Sequence, residues 1–274
     1  MDYDPTQFQG SARHYLRGRP PYSAELAPLL AAELDLDGTG ELLDVGSGPG
    51  TLALEVGPLF AHVTVLEPDP DMAAEATRNL HDAGIPARVV VGTAEQVADL
   101  DLPPLRVVSF GQSFHRTDRA QVAEAVHDAL APGGSLVHVG HDTTRPAPEP
   151  PDGVPPVPRD DITALVRRYL GPELRSGVRL VADYSAERHE EVLARTRFGR
   201  PRSLHAPGRP DVVRDVDEVV SGVLSFSYAA PHRFGPRLAD FVADLRALLE
   251  GRSRTGTFWD WPGDTEVLVA TRSC

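Results

Sequence analysis

Leu42-Leu43-Asp44-Val45-Gly46-Ser47-Gly48-Pro49-Gly50 decides how this chain is read, because a short apolar strand runs straight into a glycine turn that a helix can follow. Three glycines at alternate positions let the backbone take up φ > 0 and let a nucleotide-like molecule lie against the peptide groups. Thr51 then opens an Ala- and Leu-rich helix, whose unpaired N–H groups point at whatever sits in the turn.

Outward from this turn, residues 41–141 alternate β-branched runs with helical segments, as a parallel sheet with crossover helices requires. The expected strands are 41–45, 62–66, 87–91, 106–110 and 135–140. Helices fit 51–60, 70–83 and 118–131, the last stopped by Pro132-Gly133-Gly134. Ahead of this core, Phe8, His14, Tyr15, Arg17, Arg19 and Tyr22 precede an apolar helix over 24–33 and form a candidate cofactor cover, residues 1–40. Behind it, residues 142–158 carry seven prolines and no apolar periodicity, which predicts an extended surface loop. Helical spacing returns at Ile162, Leu165, Val166, Tyr169 and Leu170, then over 185–196, ahead of a strand at 201–206. Two more amphipathic helices carry Val216 to Leu224 and run from Pro236 to Gly251, and residues 265–271 close the chain as a strand. The expected fold is α/β: a doubly wound, mostly parallel seven-stranded sheet over a core at 41–141. A helical lid and the last strands are drawn from 142–274.

Composition excludes several chemistries. The formal charge of -13 argues against a nucleic-acid backbone as partner, because that affinity comes from clustered cations. The only cysteine is Cys274, which removes disulfides, thiolate zinc clusters and a thiol nucleophile. All 27 basic residues counted as Lys and Arg are arginines, so no lysine is available for a pyridoxal Schiff base or a Walker loop. No 18-residue apolar run and no signal-peptide pattern is present, and the expectation is a soluble, cytoplasmic protein that does not bind membranes, monomeric or homodimeric.

A glycine turn after a strand also suits dinucleotide folds, whose third glycine falls one residue later than Gly50. Asp44 before the turn, Glu67 ending the second strand and Thr93-Ala94-Glu95 after the third together resemble the class I S-adenosylmethionine-dependent methyltransferases. The resemblance implies S-adenosylmethionine as cofactor. It packs the glycine turn Gly46, Ser47, Gly48 and Gly50 against the cofactor, puts Glu67 at the ribose, Met72 against the adenine ring and Ala94-Glu95 toward its exocyclic amine, and includes Asp44, Thr51, Pro68 and Thr93 among the cofactor-binding residues. A carboxylate offers acceptors to two hydroxyls, and a thioether packs on an aromatic face. Tyr15-x-x-x-Arg19-Pro20-Pro21-Tyr22 and the strand-four end Ser109-Phe110-Gly111-Gln112-Ser113-Phe114-His115-Arg116-Thr117-Asp118 are similar to the small-molecule, quinone-biosynthesis-like branch. That similarity implies Tyr15 and Arg19 at the methionine carboxylate, Gly111 and Gln112 in the cofactor wall, and His115 as candidate catalytic residue. Arg116-Thr117 stands where the branch has an aromatic pair.

His115 reads equally as a general base and as a hydrogen-bonded structural group. His14, His141, Tyr228 and His232 read as surface or packing residues, and Arg195, Arg197, Arg200, Arg202 and Arg209 as a solvated face. Nucleic-acid amino-methylating enzymes of this fold carry an Asn/Asp-Pro-Pro-Tyr box after strand four, which Ser109-Phe110-Gly111-Gln112 is not. Catechol-type enzymes hold magnesium in an acidic cluster at the ends of strands four and five, where only Asp142 stands, so no metal is expected. The expected reaction is methyl transfer to an O, N or C nucleophile of a small molecule. Other chemistry on bound S-adenosylmethionine, an NAD-dependent oxidoreductase and a non-enzymatic binding protein stay open.

Overall fold

The computed structural model describes residues 4–176, 179–180 and 187–273; Cys274 and the expected helix start at 185 lie outside the described residues. In chain order the elements are α1 (Ala12–Gly18), α2 (Leu26–Glu33), β1 (Glu41–Val45), α3 (Thr51–Val56), β2 (His62–Glu67), α4 (Pro70–Asp82) and β3 (Ala87–Val91). They continue as β4 (Leu105–Gly111), α5 (Arg119–Ala129), β5 (Leu130–Asp142), α6 (Arg159–Leu170), β6 (Arg175–Ser176), β7 (Arg179–Leu180) and α7 (His189–Leu193). The last are β8 (Arg202–Ala206), β9 (Val213–Asp215), α8 (Val216–Leu224), α9 (Pro231–Phe234), α10 (Leu238–Arg252), β10 (Thr257–Trp259) and β11 (Asp264–Thr271).

β1 lies near the middle of a seven-stranded sheet of order β3-β2-β1-β4-β5-β11-β8. Its side chains alternate between two apolar layers: Leu42 packs with Tyr22, Leu26 and Leu52 on one face, Leu43 with Leu66, Val108 and Phe110 on the other. A strand covered on both faces reads as a continuous apolar run, which is why the two leucines are adjacent. β1 to β5 are parallel; β11 runs antiparallel to both β5 and β8. This is the expected doubly wound sheet, closed by the last strand of the chain.

Several boundaries move for local reasons. The helix expected over 118–131 ends at Ala129, and β5 begins at Leu130. Leu105 pairs with Leu130 but Val107 with Ser135, so Pro132-Gly133-Gly134 is taken up as an irregularity inside the strand, with Gly133 at φ 76°. The helix expected over 51–60 becomes α3 plus a 3₁₀ turn at Gly57–Leu59, because Pro58 supplies no amide donor. Residues 143–158 contain no helix, yet their end is not a free surface loop. Pro156 bridges Trp259, Val157 N–H donates to the Trp259 carbonyl at 3.0 Å, and Trp259 N–H to that of Pro155 at 2.8 Å.

The helices after β5 have their own core. Ile162, Leu165 and Val166 of α6, Val219, Val220 and Val223 of α8 and Phe241, Leu245 and Leu249 of α10 bury their apolar stripes together. Asp215 and Glu218 close a capping box at the start of α8. The arginine run carries ion pairs: Arg195 meets Glu187, Arg197 meets Glu124 and Asp128, Arg202 meets Glu33 and Arg209 meets Asp211. Among the described residues, no helix is long and apolar enough to cross a membrane.

Cover and lid meet where α1 crosses α8. The backbones touch at Gly18 and Gly222, and a Cβ added at either would collide with the other helix. Ser11 Oγ donates to the Leu224 carbonyl at 2.8 Å, and Arg17 lies 3.7 Å from Asp215 and 3.4 Å from Asp217. Gly18→Ala must spread these helices, and the overpacking is expected to lower stability by about 1–3 kcal/mol in urea denaturation. An unchanged midpoint and slope would show that the crossing is not tight.

Candidate cofactor and acceptor site

At the carboxyl end of β1 the chain turns through Gly46, Gly48 and Gly50, with φ of 63°, 56° and 87°. Gly46 is also fixed by space: a Cβ there would stand 2.6 Å from Cβ of Ser113, whose hydroxyl donates to the Val45 carbonyl at 2.5 Å. The turn is pinned from behind by Gly46 N–H to the Leu66 carbonyl at 2.7 Å and by the Asn79 amide to the Pro49 carbonyl at 2.9 Å. Tyr15 of α1 lies over Gly48, where an added Cβ would meet its ring at 4.0 Å.

A cavity of about 470 Å³ opens beside this turn, at the carboxyl ends of β1, β4 and β5 and under α1, α6 and α8. Ligands in open parallel sheets bind in this position. Tyr15, Arg19, Asp44, Gly46, Ser47, Thr51, Gly111 and Gln112 all line it, as their motifs suggest. Four buried polar atoms on its wall have no hydrogen-bond partner in the protein: Arg19 Nε, Asp44 Oδ2, Thr51 Oγ1 and His141 Nδ1. Buried polar groups are almost always paired, so a cluster of orphans marks the place of a polar ligand.

Asp44 is fully buried, and Oδ1 accepts the Ser109 hydroxyl at 2.7 Å. Burial raises its pKa to about 7, opposed by Ser109 and the Ala53 amide and reinforced by Glu67. Arg19 is held between the rings of Phe226 at 4.1 Å and Tyr15 at 4.8 Å, and donates to the Ser225 carbonyl at 3.2 Å. Arg214, itself buried, holds the end of the cover. Its guanidinium donates to the Arg17 carbonyl at 2.9 Å, the Arg19 carbonyl at 2.6 Å and Asp260 Oδ2 at 2.8 Å.

Gly48, Gly50, Glu67, Pro68, Met72, Thr93, Ala94 and Glu95 do not line this cavity, and fall on the β2 and β3 side of the turn. Glu67 is buried, and its oxygens accept the Gly48 amide at 2.7 Å and the Asp69 amide at 3.0 Å. Burial raises its pKa to about 7, against the pull of these two amides. Met72 is buried at the start of α4, and Glu95 Oε1 accepts the Asp118 amide at 3.2 Å.

His115 falls outside the cavity lining. It follows Phe114 in a 3₁₀ turn, in a group with His138 of β5 and His189 of α7, whose rings are 4.4 Å apart. Phe114 packs 5.4 Å from the His189 ring, and Arg119 approaches His189 Nδ1 at 3.3 Å. Burial, then Arg116 and His189, depresses the His115 pKa to about 3. The structure therefore separates His115 from the cavity that the glycine turn shares with the lid.

Other lining residues escape a motif reading. His141, Arg159, Ile162, Val219, Val223, Phe226, Tyr228, Asp260 and Trp261 all reach the cavity from the second half of the chain or its border. His141 and Tyr228 thus belong to the wall, whereas His14 and His232 do not. In the sequence these residues show only helical spacing or isolated aromatics. One local signal existed: Asp44 and His141 both end sheet strands, where ligands gather.

Residues 42–134 match the methyltransferase domain family. No functionally curated protein matches the chain in sequence. Among solved structures, the 4+2 cyclase SpnF superposes with TM-score 0.52 at 18% identity, covering 98% of this chain and 94% of that one. A precorrin 8w decarboxylase from Methanobacterium thermoautotrophicum gives TM-score 0.48 at 13% identity over 98% and 99%. A S-adenosylmethionine-dependent methyltransferase from Clostridium acetobutylicum gives 0.38 at 16%, over 47% of this chain, which spans about half (51%) of that protein. Sheet order, glycine turn and domain match together define a Rossmann-like methyltransferase fold. The family match is to the methyltransferase domain and covers residues 42–134 of the 274.

The buried titratable groups set a pH dependence. Burial holds His138 near 3 and His141 and His189 near 4, with His115 near 3, all below the ordinary 6.5. The stability these neutral rings contribute is present above 6.5 and lost as pH falls toward 3–4. Asp44 and Glu67 act oppositely: raised from 3.8 and 4.5 to about 7, they contribute stability at low pH that is lost as pH rises through 7. Near pH 5.5 unfolding therefore takes up about four histidine protons and releases about two carboxyl protons, so stability rises with pH there. The urea midpoint of the ligand-free protein is expected to climb from pH 4.5 to a maximum near neutrality, and His138→Gln to flatten the climb. A midpoint falling over that range would contradict this balance.

Proposed function

We propose that this chain transfers the methyl group of S-adenosylmethionine to an O, N or C nucleophile of a small molecule held under the lid, without a metal. The observation that carries this reading is the cavity itself: the glycine turn, the unpaired atoms Asp44 Oδ2, Thr51 Oγ1 and Arg19 Nε, and an apolar wall enclose one space. Asp44 suits the ammonium of the methionine end, and the Arg19 guanidinium, with Tyr15 beside it, suits the carboxylate. Each Glu67 oxygen spends one lone pair on a backbone amide and keeps another for a ribose hydroxyl. Met72, Ala94 and Glu95 complete the adenine side with Pro68 and Thr93 beside them, and Gly111 and Gln112 belong to the cofactor wall.

The bound sulfonium supplies a methyl already electrophilic. What remains for the chain is to orient a nucleophile and exclude water. Val157, Ile162, Val219, Val223, Phe226 and Trp261 give the acceptor an apolar seat, and the chain's charge of -13 favours a small molecule over a nucleic acid. Asp142 accepts the amide and hydroxyl of Thr144 at 2.8 and 2.6 Å, and no group of three metal-ligating side chains is found among the described residues. His115 enters this reading as a packing residue beside Phe114. A second reading keeps the cofactor and uses the same cavity for ring closure; the fold shared with the cyclase SpnF over 98% of this chain favours it.

S-adenosylhomocysteine is expected to bind in calorimetry and to raise the melting temperature. Because the ionised forms of Asp44 and Glu67, both near 7, hold the ligand, Kd should fall as pH rises from about 5.5 to 8. Glu67→Ala should weaken binding by about 1.5–3 kcal/mol. Absence of binding at millimolar ligand would overturn the proposal, and turnover of substrate without consumption of S-adenosylmethionine would favour ring closure.

A further inference from the structure

His141 lies one residue before β5 stops, where the strand pairs antiparallel with β11 at Thr265, and it lines the cavity. It stacks on Tyr22 with centroids 5.2 Å apart and 25° between planes. Tyr22 is buried in the core beneath, with its hydroxyl over Gly111 and bonded to the Gln112 side chain, so the imidazole rests on a fixed platform. Nδ1 is sealed from solvent without a partner, and no hydrogen bond to Nε2 is made within the described residues. Nδ1 is a costly orphan, whereas Nε2 is not among the sealed atoms and is the nitrogen that a ligand in the cavity can reach. The charged groups around it are Arg19, which opposes protonation, and Asp260, which favours it but is already bonded to Arg214 and Arg159. Burial and Arg19 prevail and hold the pKa near 4, so the ring is neutral at working pH and keeps an acceptor lone pair.

The same cavity is lined by Phe226 and Tyr228, whose rings stack at 5.1 Å with 16° between planes, and by Trp261, Ile162 and Val223. Such a lining suits an aromatic body, and the imidazole adds one hydrogen-bond acceptor.

We infer that His141 is the residue that receives the methyl acceptor, and that the acceptor is a phenol-type molecule whose O–H donates to the unprotonated imidazole nitrogen. This deepens the methyl-transfer reading and rests on it. As the phenolic oxygen forms its bond to the methyl carbon, the carbon–sulfur bond breaks and its electron pair stays on sulfur, leaving a neutral thioether. The phenolic proton passes to His141, which releases it to water. The hydrogen bond turns an oxygen lone pair toward the methyl and removes the proton in the same motion, which is positioning and base work by one nitrogen.

The test uses 2-naphthol as probe on the full chain loaded with S-adenosylhomocysteine, and the same probe with S-adenosylmethionine for turnover to 2-methoxynaphthalene. His141→Phe keeps the stacking on Tyr22 and deletes both nitrogens; His141→Gln restores an acceptor oxygen. Both variants should bind S-adenosylhomocysteine within about 2-fold of the parent, whereas His141→Phe should bind 2-naphthol about 10-fold more weakly, the effect of one hydrogen bond. Turnover in His141→Phe should fall by about 10²- to 10⁴-fold, and His141→Gln should recover part of the binding and less of the rate. 2-Methoxynaphthalene, which has no O–H, should bind parent and His141→Phe alike. Equal binding of 2-naphthol by parent and His141→Phe, or no binding by the parent, overturns the inference while S-adenosylhomocysteine binding stands. Lost S-adenosylhomocysteine binding in a folded His141→Phe also overturns it, by moving His141 into the cofactor wall. Failure of the parent to bind S-adenosylhomocysteine removes the methyl-transfer reading, and this inference with it.

Discussion

The site exists because two glycines let α1 and α8 cross in backbone contact above the carboxyl end of β1. Gly18 comes from the cover and Gly222 from the lid, and each fills the space where the other would carry a Cβ. With larger residues the helices would stand apart, since a helix pair separated by side chains sits 8–10 Å axis to axis. The crossing brings Tyr15 down on the glycine turn and fixes Arg19 between aromatic rings from both halves of the chain. Arg214 completes the joint by accepting no freedom: its guanidinium bonds to Asp260 and to two carbonyls at the end of α1.

That closure also sets the electrostatics. A buried carboxyl at Asp44, a desolvated imidazole at His141 and an incompletely bonded guanidinium at Arg19 face one space. Each has lost water, and in the protein alone each lacks part of what would replace it. A zwitterionic cofactor and an acceptor with one donor group would supply those missing partners. On the other face of the sheet, His138 and His189 pack against each other and Phe114 in an apolar setting that keeps them neutral. Two histidine environments arise from one cause, burial, but of His138, His141 and His189 it is His141 that lines the cavity beside the glycine turn.

The glycine turn, the parallel core and the cofactor elements were legible because each is local. A strand ending in Asp44, a turn through Gly46, Gly48 and Gly50 and a carboxylate at Glu67 are set by residues within one βαβ unit, where backbone conformation and spacing suffice. The irregular β5 was not legible, because Pro132-Gly133-Gly134 stops a helix equally well as a turn or as a bulge, and only the pairing of Leu105 with Leu130 chooses. His115 reads from the sequence equally as a catalytic candidate and as a structural group, because nearness to the end of β4 does not say whether the ring meets the cavity, and in the fold it lies outside the cavity lining.

The sequence by itself determined the sheet, the glycine turn and the side chains that stand at the strand ends, since apolar periodicity, glycine φ and motif spacing act over a few residues. Tertiary structure alone decided what faces the cofactor. His141, Phe226, Tyr228, Asp260 and Trp261 lie far apart along the chain and converge only because β11 returns antiparallel to β5 and α8 docks on α1. No local pattern encodes such a meeting. Its residues carry ordinary packing chemistry until the fold brings their unsatisfied atoms to the same surface, and that is why a pocket wall built from distant segments is read from coordinates and a cofactor turn from sequence.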